Sequence, residues 1–160
     1  MKNAFRLLIA SFLLVGAGCF GPANVRPGTR VPPTPASAPA PNPAQAAIDA
    51  HASLIQVDNV KVGDTATSPL VVTGKARGTW YFEASFPARL LDADSNVLAA
   101  VPAQAQGDWM TEDFVPFKAV LEFTTPKTAA GTLVLAKDNP SGLPEHEDEI
   151  RIPVRFTAVP

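Results

Sequence analysis

Ser141, His146 and Asp148 supply, within eight residues, the types of side chain that serve as nucleophile, base and orienting carboxylate. A working triad needs those groups converging, normally from separate elements, with an oxyanion hole beside them. One short polar loop does not meet that requirement, so the expectation is no hydrolytic site. The same stretch, 138–149, is the most acidic of the chain. Oxygen-rich loops bind calcium, which makes Asp138, Glu145, His146 and Asp148 the weak candidates for metal ligands. They lack the alternation of an EF-hand loop. A solvated connection whose charges keep an edge strand from pairing with other chains explains the same residues. No nucleophile elbow, phosphate-cradling loop or zinc-ligand spacing occurs elsewhere. The sequence therefore predicts no catalytic residue, no metal and no cofactor: a protein that is not an enzyme.

The remaining reactive side chain is Cys19, the one cysteine of the chain, which excludes an intramolecular disulfide. Ahead of it lie Lys2 and Arg6, an almost continuously apolar run from Phe5 to Val15, and the small residues Gly16, Ala17 and Gly18. That is the layout of a secretory signal peptide over 1–18. The apolar run falls short of the roughly 20 residues a bilayer span needs. A cysteine directly after the cleavage site resembles a bacterial lipobox, which implies lipidation of Cys19, palmitate included, and a membrane anchor. Gly16 stands where such sites usually carry Leu. Gly16 and Gly18 also suit an ordinary signal peptidase, and the alternative is a secreted, non-lipidated domain with a free thiol. Phe20, where an inner-membrane lipoprotein usually carries Asp, implies the outer membrane if the host has one.

Trp80, Tyr81, Phe82 and Trp109 could form a contact surface. Three consecutive aromatics in a strand cannot all face the core, because side chains alternate between faces. Either Tyr81 points out while Trp80 and Phe82 point in, or the reverse holds. Exposed aromatics anchor protein and carbohydrate interfaces. The competing reading has Trp80 and Trp109 capping the ends of a small core.

The elements that position these groups are strands. Ile150, Ile152, Val154 and Phe156 alternate with Arg151, Pro153, Arg155 and Thr157, a last strand with one buried face. Pro153 within it implies an edge or a bulge. Phe117 to Phe123 and Ala84 to Leu90 alternate likewise, and shorter β-rich runs cover 55–62, 70–76, 97–101 and 132–137. Turn residues separate them, among them Gly63-Asp64, Ser68-Pro69, Gly107-Asp108 and Asn139-Pro140-Ser141-Gly142. Seven short strands and no convincing amphipathic helix predict an all-β antiparallel sandwich over 49–160. This domain holds nine Lys and Arg against fifteen Asp and Glu, a formal −6, which argues against a nucleic-acid partner. Between Cys19 and residue 48 lies a disordered tether, with eight prolines in 21–48. Proline removes amide donors and favours extended chain, so neither helix nor ladder is expected there.

In order, Ser68-Pro69-Leu70-Val71-Val72-Thr73-Gly74, Phe82-Glu83-Ala84-Ser85-Phe86, Gly107-Asp108-Trp109-Met110, Gly131-Thr132-Leu133-Val134-Leu135 and Asn139-Pro140-Ser141-Gly142 resemble the immunoglobulin-like domain of bacterial spore-germination proteins. Ile152-Pro153-Val154 closes the resemblance, which spans roughly Ile55 to Phe156. It implies an immunoglobulin-like β-sandwich carried on envelope lipoproteins, and no catalytic residues to carry over. In the turn Asp94-Ser95-Asn96, Asn96 takes the place of the glycine expected in relatives, since asparagine tolerates positive φ.

Together these readings describe an exported cell-envelope lipoprotein presenting a non-catalytic immunoglobulin-like binding or scaffold domain, linked to germination- or sporulation-type processes. Its expected partners are the membrane, through lipid on Cys19, and an envelope protein or glycan. The alternative is a structural accessory that acts by adding an edge strand to another sheet.

Overall fold

The computed structural model describes residues 42–157. The expected signal peptide, Cys19 and most of the expected tether lie outside the described residues.

The first described element is a helix, α1 (Pro43–Ala50), where the sequence predicted extended chain. Its causes are local. The Asn42 side chain caps it by accepting from Ala44 N at 3.0 Å. Pro43 occupies the first helical position, where its missing N–H would have no partner in any case. Alanine, the best helix former, supplies four of the eight residues.

Eight strands follow: β1 (Ile55–Val57), β2 (Thr65–Ala66), β3 (Leu70–Arg77), β4 (Ser85–Asp92), β5 (Val97–Ala105), β6 (Phe114–Leu121), β7 (Ala130–Ala136) and β8 (Glu149–Phe156). The eighth beyond expectation is β2, which at two residues is too short to display a period. One hydrogen-bonded sheet joins them in the order β1-β3-β6-β5-β4-β7-β8-β2, antiparallel except where β2 runs parallel to β8. β3 and β6 pair at eight positions, whereas β5 and β6 pair only through Gln104–Lys118 and Ala105–Phe117. The sheet folds over at that narrow joint. Phe123 and Phe156 prove the fold-over, with ring centroids 5.8 Å apart. In a flat sheet the strands leading to them, four spacings apart, would be separated by about 19 Å. The result is a sandwich, an all-β immunoglobulin-like fold, whose inner faces share one core.

The alternation read from the sequence is the alternation of burial. Phe86, Ala88 and Leu90 on β4 face Phe117, Ala119 and Leu121 on β6, and Ile150, Ile152, Val154 and Phe156 of β8 complete the layer. Phe117 and Phe86 meet edge to face at 5.0 Å. The Phe117 ring takes the space above Gly74, its partner across the β3–β6 ladder, where any Cβ would run into both that ring and the Gln56 carbonyl. Pro153 sits where its lost donor costs no ladder bond. Its carbonyl accepts from Gly63 N at 2.8 Å on the side away from β7, and in a ladder the N–H and C=O of one residue share a side. In the β4–β5 turn the positive φ falls on Ser95 and not on Asn96. The Asp92 carboxylate explains this by accepting from Asp94 N, Asn96 N and Asn96 Nδ2, which fixes Asn96 as a donor.

Gly74→Ala should destabilise the protein by about 1–3 kcal/mol through overpacking against a backbone carbonyl that cannot yield. Phe117→Ala should cost about 3–5 kcal/mol, and Val97→Ala, exposed at a strand end, within about 0.5 kcal/mol. Chemical denaturation midpoints test the series. A Gly74→Ala midpoint equal to that of the parent would contradict the packing described.

Candidate functional site

The chain reverses at one end of the sandwich through three loops: 78–84 between β3 and β4, 106–113 between β5 and β6, and 137–148 between β7 and β8. Backbone bonds lock them together. Gly78 N donates to Asp113 O at 3.1 Å, and Asp138 N donates to Trp80 O at 3.0 Å. Gly78 lies so close to the carbonyls of Trp109 and Thr111 that no side chain fits there. The first loop opens as a single 3₁₀ turn over Gly78–Trp80 and ends with positive φ at Glu83 and Ala84.

That turn overturns the expected alternation of Trp80, Tyr81 and Phe82. Consecutive residues of a turn are not bound to opposite faces, and Trp80 and Tyr81 are both buried. Trp80 packs edge to face on Phe86 with centroids 6.4 Å apart, and Tyr81 does so at 5.1 Å. The Tyr81 hydroxyl donates to Val115 O at 2.7 Å. Burial pushes its phenol up to about 12, because the phenolate would lose its hydration there. Trp80 and Tyr81 are therefore core residues and form no contact surface. Phe82, 42% exposed, remains available, and Trp109 is half-buried against the core with Met110 exposed beside it.

The structure brings two of the three triad-type residues together. Ser141 Oγ lies 3.1 Å from His146 Nδ1. The hydroxyl donates its one proton to Asn139 Oδ1 at 2.6 Å, while Leu143 N donates to Ser141 Oγ and Asn139 Nδ2 to Leu143 O. These are the bonds of a loop clasp. Asp148, the expected orienter, is bonded elsewhere: its Oδ1 is 2.9 Å from His51 Nε2. His146 ends a single 3₁₀ turn and the chain is extended again at Glu147, so Asp148 leaves in another direction. Ser141, His146 and Asp148 form no triad. Among the described residues, no group of three or more His, Cys, Asp and Glu stands close enough to hold a metal ion. Of the candidates Asp138, Glu145, His146 and Asp148, His146 meets Ser141 and Asp148 meets His51, and Asp138 and Glu145 join neither pair.

Sequence reasoning missed His51. It follows α1, 97 residues from Asp148, and no local spacing signals the pair. Its Nδ1 lies 2.8 Å from Ala47 O. The bond to that carbonyl is the largest cause raising the imidazole above its ordinary value; burial opposes it, and the hydrogen bond and charge of Asp148 each add a smaller upward effect.

Two open depressions flank these groups. One, of ≈ 370 Å³, lies between the first and third loops and is walled by Phe82, Lys137, Asp138, Ser141 and His146. The other, of ≈ 730 Å³, is lined by His51, Arg89, Lys137, Glu147, Asp148 and Glu149. The three loops carry eight of the fifteen acidic residues, with Lys137 as their single Lys or Arg. An exposed aromatic ring beside charged and hydrogen-bonding groups can hold a peptide or a sugar. It offers no nucleophile, base and orienter in line.

Residues 54–143 match the model of a protein family described as the immunoglobulin-like domain of bacterial spore germination. The match runs from the start of β1 into the third loop, and β8, beyond it, pairs with β7 from Glu149 to Arg155. No curated protein matches the chain.

Tyr81 is the only tyrosine of the chain, so its ionisation can be followed by phenolate absorbance without interference from a second. The midpoint should lie at about 12, against the ordinary 10. Because the folded value is raised, this contribution to stability is complete below 10 and is lost as the pH climbs toward 12. A midpoint near 10 in the folded protein would contradict the buried, donating phenol.

Proposed function

Since the chain belongs to the family of immunoglobulin-like domains of bacterial spore germination, we propose that it is a cell-envelope lipoprotein, anchored through Cys19, whose domain binds or scaffolds and does not catalyse. The domain would serve germination- or sporulation-type processes at the envelope, with an envelope protein or glycan as its partner.

One observation carries the reading: the loop end presents Phe82, Met110 and Leu143 to solvent, while the chain enters the domain from elsewhere. α1 lies along β8 with His51 beside Asp148, at the loop end. Its eight residues rise about 12 Å, so Asn42 points toward the opposite end. A tether arriving there would hold the loops away from the surface to which Cys19 is attached. Two or three acyl chains anchor such a protein stably, at about 0.8 kcal/mol per buried CH₂, where one chain would not. The dismantled triad and the scattered carboxylates support the non-catalytic part of the proposal.

A second reading, an assembly accessory that adds a strand to another sheet, is favoured by a single feature. β2 pairs only with Arg155 and Phe156, and the rest of the β8 edge has no strand beside it.

Intact mass and detergent partitioning of protein from native membranes test the anchor, with Cys19→Ser as comparison. Wild type should carry acyl mass and partition with the detergent phase, and Cys19→Ser should be unmodified and soluble. Two soluble, unmodified proteins would replace the proposal with the secreted, non-lipidated domain.

A further inference from the structure

We infer that α1 is a proton-operated cover on the free edge of β8, latched by a doubly protonated His51 held between the Ala47 carbonyl and the Asp148 carboxylate. The inference stands on the domain alone and is independent of the anchor on Cys19.

Hydrogen-bond bookkeeping carries it. His51 Nδ1 is 2.8 Å from Ala47 O, and Nε2 is 2.9 Å from Asp148 Oδ1. Both partners are acceptors only, so both ring nitrogens must donate, which an imidazolium alone can do. A neutral ring holds one proton and must turn a lone pair toward either the carbonyl or the carboxylate. The carbonyl is also one the helix leaves over, because His51 N bonds Ile48 O and not Ala47 O. A cation capping the last turn of a helix is favoured by the helix dipole.

Little else holds α1. None of its residues is fully buried, and Ile48 alone packs against the core. A channel of ≈ 450 Å³ separates the helix from the sheet, lined by Ala44, Ala47 and His51 on one side and Glu149, Arg151 and Pro153 on the other. Under it lies bare strand edge. Pro153 O accepts from Gly63 N, and Arg155 N donates to Asp64 O, both on the side away from β7. Alternate residues of a strand point the same way, so the N–H and C=O of Arg151 face the helix. Neither has a backbone partner on that side among the described residues.

The charges around the latch leave His51 as the group that moves between mild acid and mild alkali. Arg89 of β4, Lys137 at the end of β7, and Glu147, Asp148 and Glu149 share its depression, Arg151 of β8 lines the channel, and Asp49 of α1 is bonded by Gln45. The sign follows from the raised value. The latch is complete below 6.5, the ordinary value of the ring, and is lost as the pH rises through the higher folded value. Each unit of elevation corresponds to about a tenfold loosening of docking once the ring is neutral.

Residue-resolved NMR on the whole chain tests this. At about pH 5.5 both ring nitrogens of His51 should carry protons. The α1 amides of Ala46 and His51, bonded to Asn42 O and Ile48 O, should be protected from exchange, because an undocked helix of eight residues is marginal in water. By about pH 9 that protection, corrected for the base dependence of exchange, should fall, by about tenfold for each unit by which the His51 midpoint exceeds 6.5. His51→Gln should show the weaker protection at both pH values, and Asp148→Asn should lower the His51 midpoint. Both sites are partly exposed, so the β-sheet signals should persist in either variant. A His51 midpoint at or below 6.5, or protection of the α1 amides independent of pH in the wild type, would overturn the latch.

Discussion

The closure of one sheet upon itself, with no disulfide in the described domain, depends on Phe117 filling the space that Gly74 leaves and meeting Phe86 from the opposite face. Each strand of the core is amphipathic on its own and would expose its apolar side if the sheet stayed flat. Folding at the two-residue joint between β5 and β6 brings the sides together. The loops depend on that closure. Trp80 and Tyr81 extend the aromatic stack from Phe86 into the loop end, and the Tyr81 hydroxyl ties the first loop to β6. The most hydrophobic part of the first loop is therefore structural, and its exposed remainder is Phe82.

The strands were legible because their period survives in the residues. The alternation over 150–156 is the burial of β8 residue by residue, and Pro153 correctly announced a stretch of strand with one unpaired side. What escaped was set by contacts that spacing does not display. β2 exists because Thr65 and Ala66 lie beside Arg155 and Phe156, and its two residues carry no pattern. α1 has a readable start in Asn42-Pro43, a pairing of cap and first-turn proline that the surrounding proline-rich composition masks. Isolated helices of eight residues are marginal in water, and this one persists through its contacts with β8.

The candidate site shows the same division. The polar loop was visible as a run of chemical groups, and their pairing was not. Ser141 and His146 meet within one loop, so their association follows from proximity in the chain. Asp148 is claimed by a histidine from the other end of the domain, and sequence spacing cannot anticipate a bond across 97 residues. That bond removes the orienter from the one arrangement that resembled catalysis. It also joins the C-terminal end of α1 to the third loop. The family match extends from β1 into that loop, which places the first and second loops wholly inside the matched region. Under the proposed function, recognition would fall to the loop end, where Phe82 is the exposed aromatic.

Photo-crosslinking in the native envelope tests that account most directly, with a photoreactive amino acid placed at Phe82, on the loop end, or at Val97, exposed at the opposite end. The account predicts a discrete crosslinked partner, protein or glycan, from position 82 and none from position 97. A partner captured from position 97 alone, or no capture from position 82, would contradict recognition through the loop end.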